Sequence, residues 1–330
     1  MKTVNTVRGP LATDSLGTTL MHEHLQTSFA GFSQIYPELL GKEYLSRPIR
    51  ELTAAKAGGI DTVVDCTTME LGRDIRVLAE ISEKSGVNVI ASTGWWLDNV
   101  LPMPLVPNFL GTFTADQFAE VFAREILEGI EGTGIKAGII KSAADFEGVK
   151  PVGATMLRGV ARAHLKTGAP IMLHSFAPSQ VARQQLAILK EEGVDLRRVK
   201  VDHVIESTDV EYLTWIVEQG CYLGMDRMPG VYPIPSVGPS QKARMNTIKA
   251  MIDAGYADRL LFSHDEVTVT PMFDTLSKAD QEKIERENPH SFLYISKVVL
   301  PGLVEMGVPE EVVATLLTDN PRRFFEGPQD

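Results

Sequence analysis

The chain has 330 residues, of which 44% are hydrophobic and 23% are charged, an ordinary composition for a globular protein. Its net charge of -11 argues against a nucleic-acid partner, because phosphates would repel it, and no basic cluster offsets that charge locally. The first residues lack the apolar segment of a secretory signal, and no apolar run reaches the length of a membrane span. We therefore expect a cytoplasmic protein without a membrane partner, whose two cysteines form no disulfide framework.

Short β-branched runs alternate with longer amphipathic stretches along the chain. A hairpin-like segment at Lys2–Leu16 comes first, and the predicted strands then follow at Thr18–Leu25, Ile60–Thr68, Val87–Trp95, Ala137–Ala143, Pro170–Phe176, Val199–Ile205, Cys221–Asp226 and Arg259–Asp265. The stretches between them, such as DIRVLAEISEKSG and ATMLRGVARAHLKTG, are typical of helices that end on glycine. Eight strands spaced by the roughly 30 residues of a βα unit predict a (β/α)8 TIM barrel with an N-terminal hairpin extension. No linker divides the chain, so residues 1–330 are expected to form one domain.

Six polar residues occupy the ends of these predicted strands: His22, His24, Lys141, His174, His203 and Asp265. The chain has only seven histidines, and four of them are in this set. In a (β/α)8 barrel the active site lies at the carboxyl ends of the strands, so these side chains are expected to meet. Imidazole and carboxylate groups are the usual ligands of Zn²⁺ and related ions, and the pattern therefore predicts a metal site.

Side-chain alternation along a strand refines this set. His22 and His24 lie two positions apart and point to the same side, whereas Glu23 points to the other side. The same rule places His264, the residue before Asp265, on the side of the strand opposite to Asp265. His164 falls on a helix and His290 in a loop. The histidines excluded as ligands are therefore His164, His264 and His290. A hydrogen-bonded polar strand end remains the alternative explanation of the His22–His24 segment.

Lys141 needs a separate explanation, because an ammonium offers no lone pair and metal ions would repel it. A neutral lysine could form a Schiff base with a carbonyl substrate. Alternatively, its reaction with CO₂ would give an anionic carbamate whose two oxygens bridge two metals, which suits neighbours rich in imidazole. An exposed lysine after a strand, without a role in chemistry, is the third reading.

Several segments carry a specific resemblance. They are GTTLMHEHL, VDCTTMELGRD, GTGIKAGIIKSAAD, GAPIMLHSFA, EEGVDLRRVKVDHV, YLGMDRM, DRLLFSHD and DNPRRFF, and they extend from about Val7 to Phe325. In these segments the chain resembles the phosphotriesterase family of the amidohydrolase superfamily, and most closely its lactonase branch. The resemblance implies a binuclear metal-dependent hydrolase that forms a homodimer.

The same resemblance assigns roles to the six residues. It implies that His22, His24 and Asp265 bind the more buried metal ion and that His174 and His203 bind the more exposed one. It also implies that a carboxylated Lys141 and a hydroxide bridge the two ions, with Asp265 passing the hydroxide proton toward the leaving alkoxide. Zn²⁺ is the first expectation, and Co²⁺, Mn²⁺ and Fe²⁺ also suit these ligands.

The expected substrate is a small molecule, first of all an N-acyl homoserine lactone or another alkyl lactone, with slow promiscuous hydrolysis of phosphotriesters. A phosphotriester, carboxylic ester or amide as the main substrate is the alternative. Arg227 matches an arginine near the substrate of lactonase relatives, although a loop salt bridge would also explain it. An apolar rim could hold an acyl chain, or could instead serve loop packing or a dimer interface; its predicted members are Trp95, Trp96, Leu97, Met228, Val231 and Met272.

Two loops depart from the common lactonase pattern. Many relatives carry tyrosine where this chain has Trp95 and Trp96, and the segment after the last strand reads EVTVTPMF instead of a short aromatic or cysteine-rich stretch. Both loops are expected to shape the substrate pocket, so the metal chemistry is more firmly predicted than the substrate.

Two other classes of protein are compatible with parts of this pattern. A metal-free Schiff-base aldolase would use Lys141 but would not need four strand-end histidines. A non-catalytic binding protein on the same barrel would have no reason to keep all six groups together.

Overall fold

The computed structural model describes residues 2–97, 113–229, 238–270 and 278–328. In these ranges the strands are β1 Thr3–Thr6, β2 Gly9–Ala12, β3 Thr19–Glu23, β4 Thr62–Asp65, β5 Asn88–Trp95, β6 Ile139–Ala144, β7 Ile171–Ser175, β8 Val199–Asp202, β9 Tyr222–Met225 and β10 Leu260–Phe262. The α-helices are α1 Phe32–Ile35, α2 Ser46–Ala57, α3 Ile75–Ser85, α4 Ala115–Leu127, α5 Pro151–Thr167, α6 Ala182–Glu191, α7 Val210–Glu218, α8 Gln241–Asp253, α9 Lys278–Glu287, α10 Leu300–Glu305, α11 Glu310–Thr315 and α12 Asp319–Glu326.

Strands β3 to β10 form one parallel sheet in chain order, and β1 and β2 pair as an antiparallel hairpin in front of it. The sheet closes on itself beyond the last strand, where the backbone N–H of Asp265 donates to the His22 carbonyl at 3.0 Å and the N–H of His24 donates to Glu266 at 2.8 Å. This is a (β/α)8 barrel with an N-terminal hairpin, as the sequence predicted. Each of the eight predicted barrel strands overlaps an observed strand, and each observed strand is shorter than predicted.

Helix α3 illustrates why the sequence pattern was sufficient for the helices. Asp74 caps its N-terminus by accepting hydrogen bonds from the backbone N–H groups of Arg76 and Val77. Gly86 ends it in the left-handed conformation, with φ of 76°, where a side chain would be strained. The apolar face between these signals, including Leu78, is buried toward the barrel.

Two apolar layers pack on either side of the barrel strands. The larger layer lies between strands and helices, and the smaller one fills the barrel interior with residues that include Met21, Val64, Ile90, Ile139, Met172 and Leu261. The interior is closed at the amino ends of the strands by the C-terminal helix α12, where the ring of Phe324 lies 5.3 Å from that of Tyr222. Asn320 fixes this helix by donating to the carbonyls of Ala257 and Leu260. The opposite end, at the carboxyl ends of the strands, is left for polar side chains.

Three parts of the predicted loops fall outside the described residues, namely 98–112, 230–237 and 271–277. Val231 and Met272 of the predicted rim are among them. None of the described helices combines the length and the apolar character that crossing a bilayer requires.

Candidate metal centre

The six predicted strand-end residues come together at the carboxyl end of the barrel. His22, Lys141 and His174 lie within β3, β6 and β7, whereas His24, His203 and Asp265 lie just beyond the ends of their strands. All six side chains are buried, from 1% exposed for His22, Lys141 and His203 to 9% for His24. The prediction that these groups meet at one place is therefore supported by their positions.

Asp265 lies between the first two histidines. Its Oδ1 is 3.3 Å from His22 Nε2 and 3.4 Å from His24 Nε2. Burial alone would raise the pKa of Asp265, but the nearby imidazoles of His22, His24 and His203 and the Arg227 guanidinium hold it well below its usual range. The group is thus a carboxylate at neutral pH, with an oxygen that faces two imidazole nitrogens.

The other two histidines form a close pair. Nε2 of His203 lies 2.9 Å from Nδ1 of His174, and their ring centroids are 4.4 Å apart. Burial and the neighbouring cations, Arg227 and Lys141 among them, keep the pKa of both histidines well below the usual value. Both imidazoles are therefore neutral and hold a lone pair that can bind a metal ion.

Hydrogen bonds fix the orientation of two rings. Nδ1 of His24 lies 2.9 Å from Thr67 Oγ1, and Nδ1 of His203 lies 2.8 Å from Asp226 Oδ1. In each case the partner occupies Nδ1 and leaves Nε2 directed into the site, as is usual for histidines that bind metal ions. Thr67 and Asp226 were not singled out from the sequence.

Lys141 lies among these groups with its amino group directed into the site. Its Nζ is 3.2 Å from His22 Nε2 and 3.1 Å from Asp202 Oδ2. The exposed lysine considered from the sequence is wrong, because the side chain is only 1% exposed.

Arg227 joins the site through two ion pairs. Its Nε donates to Asp265 Oδ2 at 2.9 Å, and its Nη1 donates to Glu206 Oε1 at 2.8 Å. The salt bridge weighed from the sequence is therefore present, but one partner belongs to the site itself. His203, Arg227 and Asp265 all adopt positive φ, at 60°, 58° and 58°, at the ends of three successive strands. Such strained backbone is found where surrounding contacts hold side chains in a functional arrangement.

A second polar cluster lies beneath the six residues and was missed. It consists of Lys200, Asp202 and Asp226, all fully buried. The signal was present in VKVDH, because Lys200 and Asp202 alternate with valines and so share one side of their strand. Two groups in the described part of the chain have donor atoms close enough for one metal ion: His22 with His203 and Asp265, and His22 with Asp202 and Asp226.

The excluded histidines have partners elsewhere. Glu23 points away from the barrel interior, as alternation predicted, and its Oε1 accepts from His264 Nδ1 at 2.8 Å and from Ser263 Oγ at 2.7 Å. His164 lies on α5 and contacts the Ala169 carbonyl. Both positions agree with the sequence-based exclusion of these residues.

The predicted apolar rim is only partly formed. Trp96 packs edge-on against His174, with centroids 5.9 Å apart. Trp95 and Met228, by contrast, belong to the layer between strands and helices and are 4% and 0% exposed. The rim prediction needs correction for these two residues, because in this structure their side chains complete the core instead of facing a pocket. Gly94 is on the side of β5 that faces the barrel interior. Alternation along the strand therefore turns the next residue, Trp95, outward.

Glu70 was also missed. Its carboxylate accepts from the backbone N–H of Trp96 and from Thr68 Oγ1 at 2.7 Å. Burial raises the pKa of Glu70 to about 7, although these hydrogen bonds and Arg73 oppose the change. Glu70 thus fixes the start of the loop that carries Trp96.

The donor set fits divalent metal ions. Four imidazoles and one carboxylate converge, and at least three of these groups are near enough to share one ion. Two features oppose cations at this place: the buried amino group of Lys141 and the pKa of His22, which burial lowers but Cys66, Asp202 and Asp265 raise well above its usual value. A (β/α)8 barrel with these groups at the carboxyl ends of its strands defines the class of metal-dependent hydrolases on this fold.

Comparison with known proteins agrees with that class. The sequence profile of the phosphotriesterase family matches residues 2–325. A phosphotriesterase homology protein from Mycobacterium tuberculosis is 39% identical over 332 residues, which cover 99% of this chain and 98% of the relative. An aryldialkylphosphatase from Saccharolobus solfataricus is 32% identical, over 94% of this chain and 95% of its own. The structure of the phosphotriesterase from Mycobacterium tuberculosis has a TM-score of 0.87 and 38% identity over 98% of both chains. The chain belongs to the phosphotriesterase family and is a metal-dependent hydrolase.

Proposed function

We propose that this protein is a binuclear metal-dependent lactonase. The observation that supports it is the convergence of four imidazoles, a carboxylate and a buried lysine at one end of the barrel. His22, His24 and Asp265 would hold one ion, and the close pair His174 and His203 would hold the other. Elemental analysis of metal-loaded protein tests this step, because one ion or none per chain would contradict it.

The charges around the site favour a carbamate on Lys141. With Lys141 as an ammonium and the imidazoles neutral, as metal binding requires, these groups comprise three cations and four anions and have a net charge of -1; they are Lys141, Lys200, Arg227, Asp202, Asp226, Asp265 and Glu206. Two divalent ions would bring this sum to +3, in a place where repulsion is weakly screened. Changing the ammonium into a carbamate lowers it by two charges and also supplies two oxygens, one for each ion. We therefore propose that Lys141 is carboxylated in the metal-loaded protein.

We propose that Asp265 and Arg227 handle a proton. When bound, the metal ions supply Lewis acidity that activates water and polarises the reacting oxygen of the substrate. Asp265 Oδ1 faces the imidazoles while Arg227 holds Oδ2 at 2.9 Å, so the carboxylate has a fixed direction. Asp265 can take a proton from the attacking water and release it to the leaving alkoxide, and Arg227 keeps it oriented for both steps.

A lactone is the first proposed substrate because apolar groups lie next to the polar centre. Trp96 contacts His174, and a recess near the end of β6 has an apolar side formed by Leu97, Ala143 and Phe146 and a charged side formed by Asp145, Glu147 and Lys150. An acyl chain could pack there while the ester carbonyl meets the polar groups. A phosphotriester is the second candidate, since the relative from Saccharolobus solfataricus is named an aryldialkylphosphatase.

A hydrolysis screen would separate these candidates. Metal-loaded protein is assayed against alkyl lactones, N-acyl homoserine lactones, simple esters, acyl amides and paraoxon-like triesters, with chelated protein as the blank. His174→Asn should abolish hydrolysis, whereas His164→Asn, which removes a histidine from helix α5, should not. A triester or amide hydrolysed far faster than every lactone would reject the lactonase assignment. Trapping of a ketone on Lys141 by borohydride would instead favour the Schiff-base aldolase.

A further inference from the structure

The buried cluster beneath the centre contains a lysine that the proposed chemistry does not use. Lys200 is 0% exposed and lies inside the barrel on β8. Its Nζ is 2.5 Å from Asp202 Oδ1, 3.7 Å from Asp226 Oδ2 and 3.2 Å from the Met21 carbonyl. A lysine buried this deeply needs a strong electrostatic reason, because moving an ammonium out of water is costly.

The reason lies in the two carboxylates. Burial alone would lower the pKa of Lys200, but Asp202 and Asp226 raise it above its usual value, so the side chain stays charged. Both carboxylates also lie beside histidines of the centre: Asp202 Oδ2 is 3.1 Å from His22 Nδ1, and Asp226 Oδ1 is 2.8 Å from His203 Nδ1. The cluster therefore connects one fixed cation to both halves of the proposed metal site.

The chain leaves room for this arrangement at Gly224. A Cβ at that position would lie 2.5 Å from Asp202 Oδ1 and 2.7 Å from Asp226 Oδ2, which is too close for either oxygen. His22, Asp202 and Asp226 also form one of the two groups whose donor atoms could hold a metal ion. The ammonium of Lys200 lies next to both of these carboxylates.

We propose that Lys200 is a permanent internal cation that balances Asp202 and Asp226 and thereby positions His22 and His203 for the two metal ions. This inference rests on the proposed binuclear function. Lys200 is a positioning residue, since it touches neither substrate nor reacting atoms. Its ammonium supplies the positive charge that Asp202 and Asp226 would otherwise need from a bound cation.

Lys200 also affects Lys141, because the two lysines share Asp202. Asp202 lies between the two lysines, 2.5 Å from Lys200 Nζ through Oδ1 and 3.1 Å from Lys141 Nζ through Oδ2. Without Lys200, the ammonium of Lys141 would become the nearest cation to Asp202. Asp202 would then be drawn toward Lys141 and would no longer fix His22, 3.1 Å away, so metal binding, and with it the carbamate that bound metal ions stabilise, would weaken.

A double-mutant cycle tests this coupling. The variants Lys200→Met, Asp202→Asn and the double variant are compared with wild type, and Lys166→Met serves as the control because that lysine lies on the surface and pairs with Glu120. Zn²⁺ affinity is measured by chelator competition, and the carbamate by ¹³C NMR after exposure to labelled bicarbonate. We expect Lys200→Met to bind Zn²⁺ at least ~10-fold more weakly, as for other groups that orient metal ligands, with a smaller carbamate signal. The control should match wild type.

The double variant separates positioning from packing. If Lys200 acts mainly through Asp202, the nearer of its two carboxylates, adding Lys200→Met to Asp202→Asn should change Zn²⁺ affinity by less than ~3-fold, because only the more distant charge of Asp226 is left to balance. Wild-type affinity and carbamate signal in Lys200→Met would overturn the proposal, and so would losses that multiply in the double variant. The double variant also keeps the test usable if Lys200→Met alone does not fold, since a buried pair is often replaced at little cost when both charges are removed. Failure of wild type itself to bind two ions would contradict the proposed function, which is a different result.

Discussion

Replacing Gly224 by alanine should damage the proposed metal centre without changing any proposed ligand. The new Cβ would lie 2.5 Å from Asp202 Oδ1, 2.7 Å from Asp226 Oδ2 and 2.8 Å from the backbone Cα of Asp202. An ordinary contact begins near 3.4 Å, so the two carboxylate oxygens must retreat by 0.9 and 0.7 Å, the differences between 3.4 Å and these distances. Part of that shift falls on backbone, which cannot simply rotate away.

Two measurable losses follow from this displacement. Overpacking of a full interior typically costs ~1–3 kcal/mol of unfolding free energy, and for a chain of this size the unfolding midpoint should fall by roughly 1.5–4 °C. The retreat of Asp202 and Asp226 also loosens the contacts of 3.1 Å to His22 and 2.8 Å to His203. We therefore expect Zn²⁺ affinity to fall by roughly 10- to 100-fold.

The assay combines thermal unfolding of metal-free protein with chelator competition for Zn²⁺. Gly302→Ala is the matched control, because the Cβ added there would meet only the flexible end of Met245, at 3.1 Å. If Gly224→Ala unfolded at the wild-type temperature and bound Zn²⁺ normally, the packing argument would be refuted. A lower midpoint with unchanged Zn²⁺ affinity would show instead that the clash is absorbed without moving the histidines.

Four further predictions concern single residues. Lys141→Ala should lose both bound metal and activity, as measured by elemental analysis and by turnover. Adding a short carboxylic acid to this variant should restore part of both. Lys141→Arg forms no carbamate, so it should show neither metal binding nor activity. Asp265→Asn should lower kcat far more than it raises KM, because the proton acceptor is lost while the pocket walls remain, and near wild-type turnover with metals bound would exclude the proton role. Trp96→Ala should change the ranking of lactones by acyl-chain length, whereas Trp95→Ala should mainly lower the unfolding midpoint, since that ring is in the core. Finally, Glu70 has an ordinary pKa of 4.5 in the unfolded chain, but its pKa in the folded protein is about 7. The folded state therefore holds a proton that the unfolded state has lost, and the free energy of unfolding falls by up to ~3 kcal/mol as pH rises between these values. In Glu70→Gln the difference between the unfolding midpoints at pH 5 and pH 7.5 should be smaller than in wild type, and an unchanged pH dependence would contradict this.

The strand-end residues were accessible from the sequence because two local rules act on them. Alternation along a strand places His22 and His24 on one side and Glu23 on the other, and the structure agrees, with Glu23 bound to His264 behind the barrel wall. Parallel strands with intervening helices bring all carboxyl ends to one face, so residues as distant in sequence as His22 and Asp265 meet there at 3.3 Å. Neither rule requires knowledge of the packing.

The side chains around that set depend on tertiary structure. Alternation alone does not say which side of a strand faces the interior, and for this reason Trp95 was expected in a pocket but completes the outer core. Lys200 looked like any charged residue in a short strand, and only barrel closure places it 2.5 Å from Asp202, fully buried. The local sequence thus determined the fold class and the six groups that meet. Three-dimensional packing decided which charges compensate one another beneath these groups. Ion pairs in a closed barrel join different strands, and no local sequence pattern specifies the distance between those strands or the burial of their side chains.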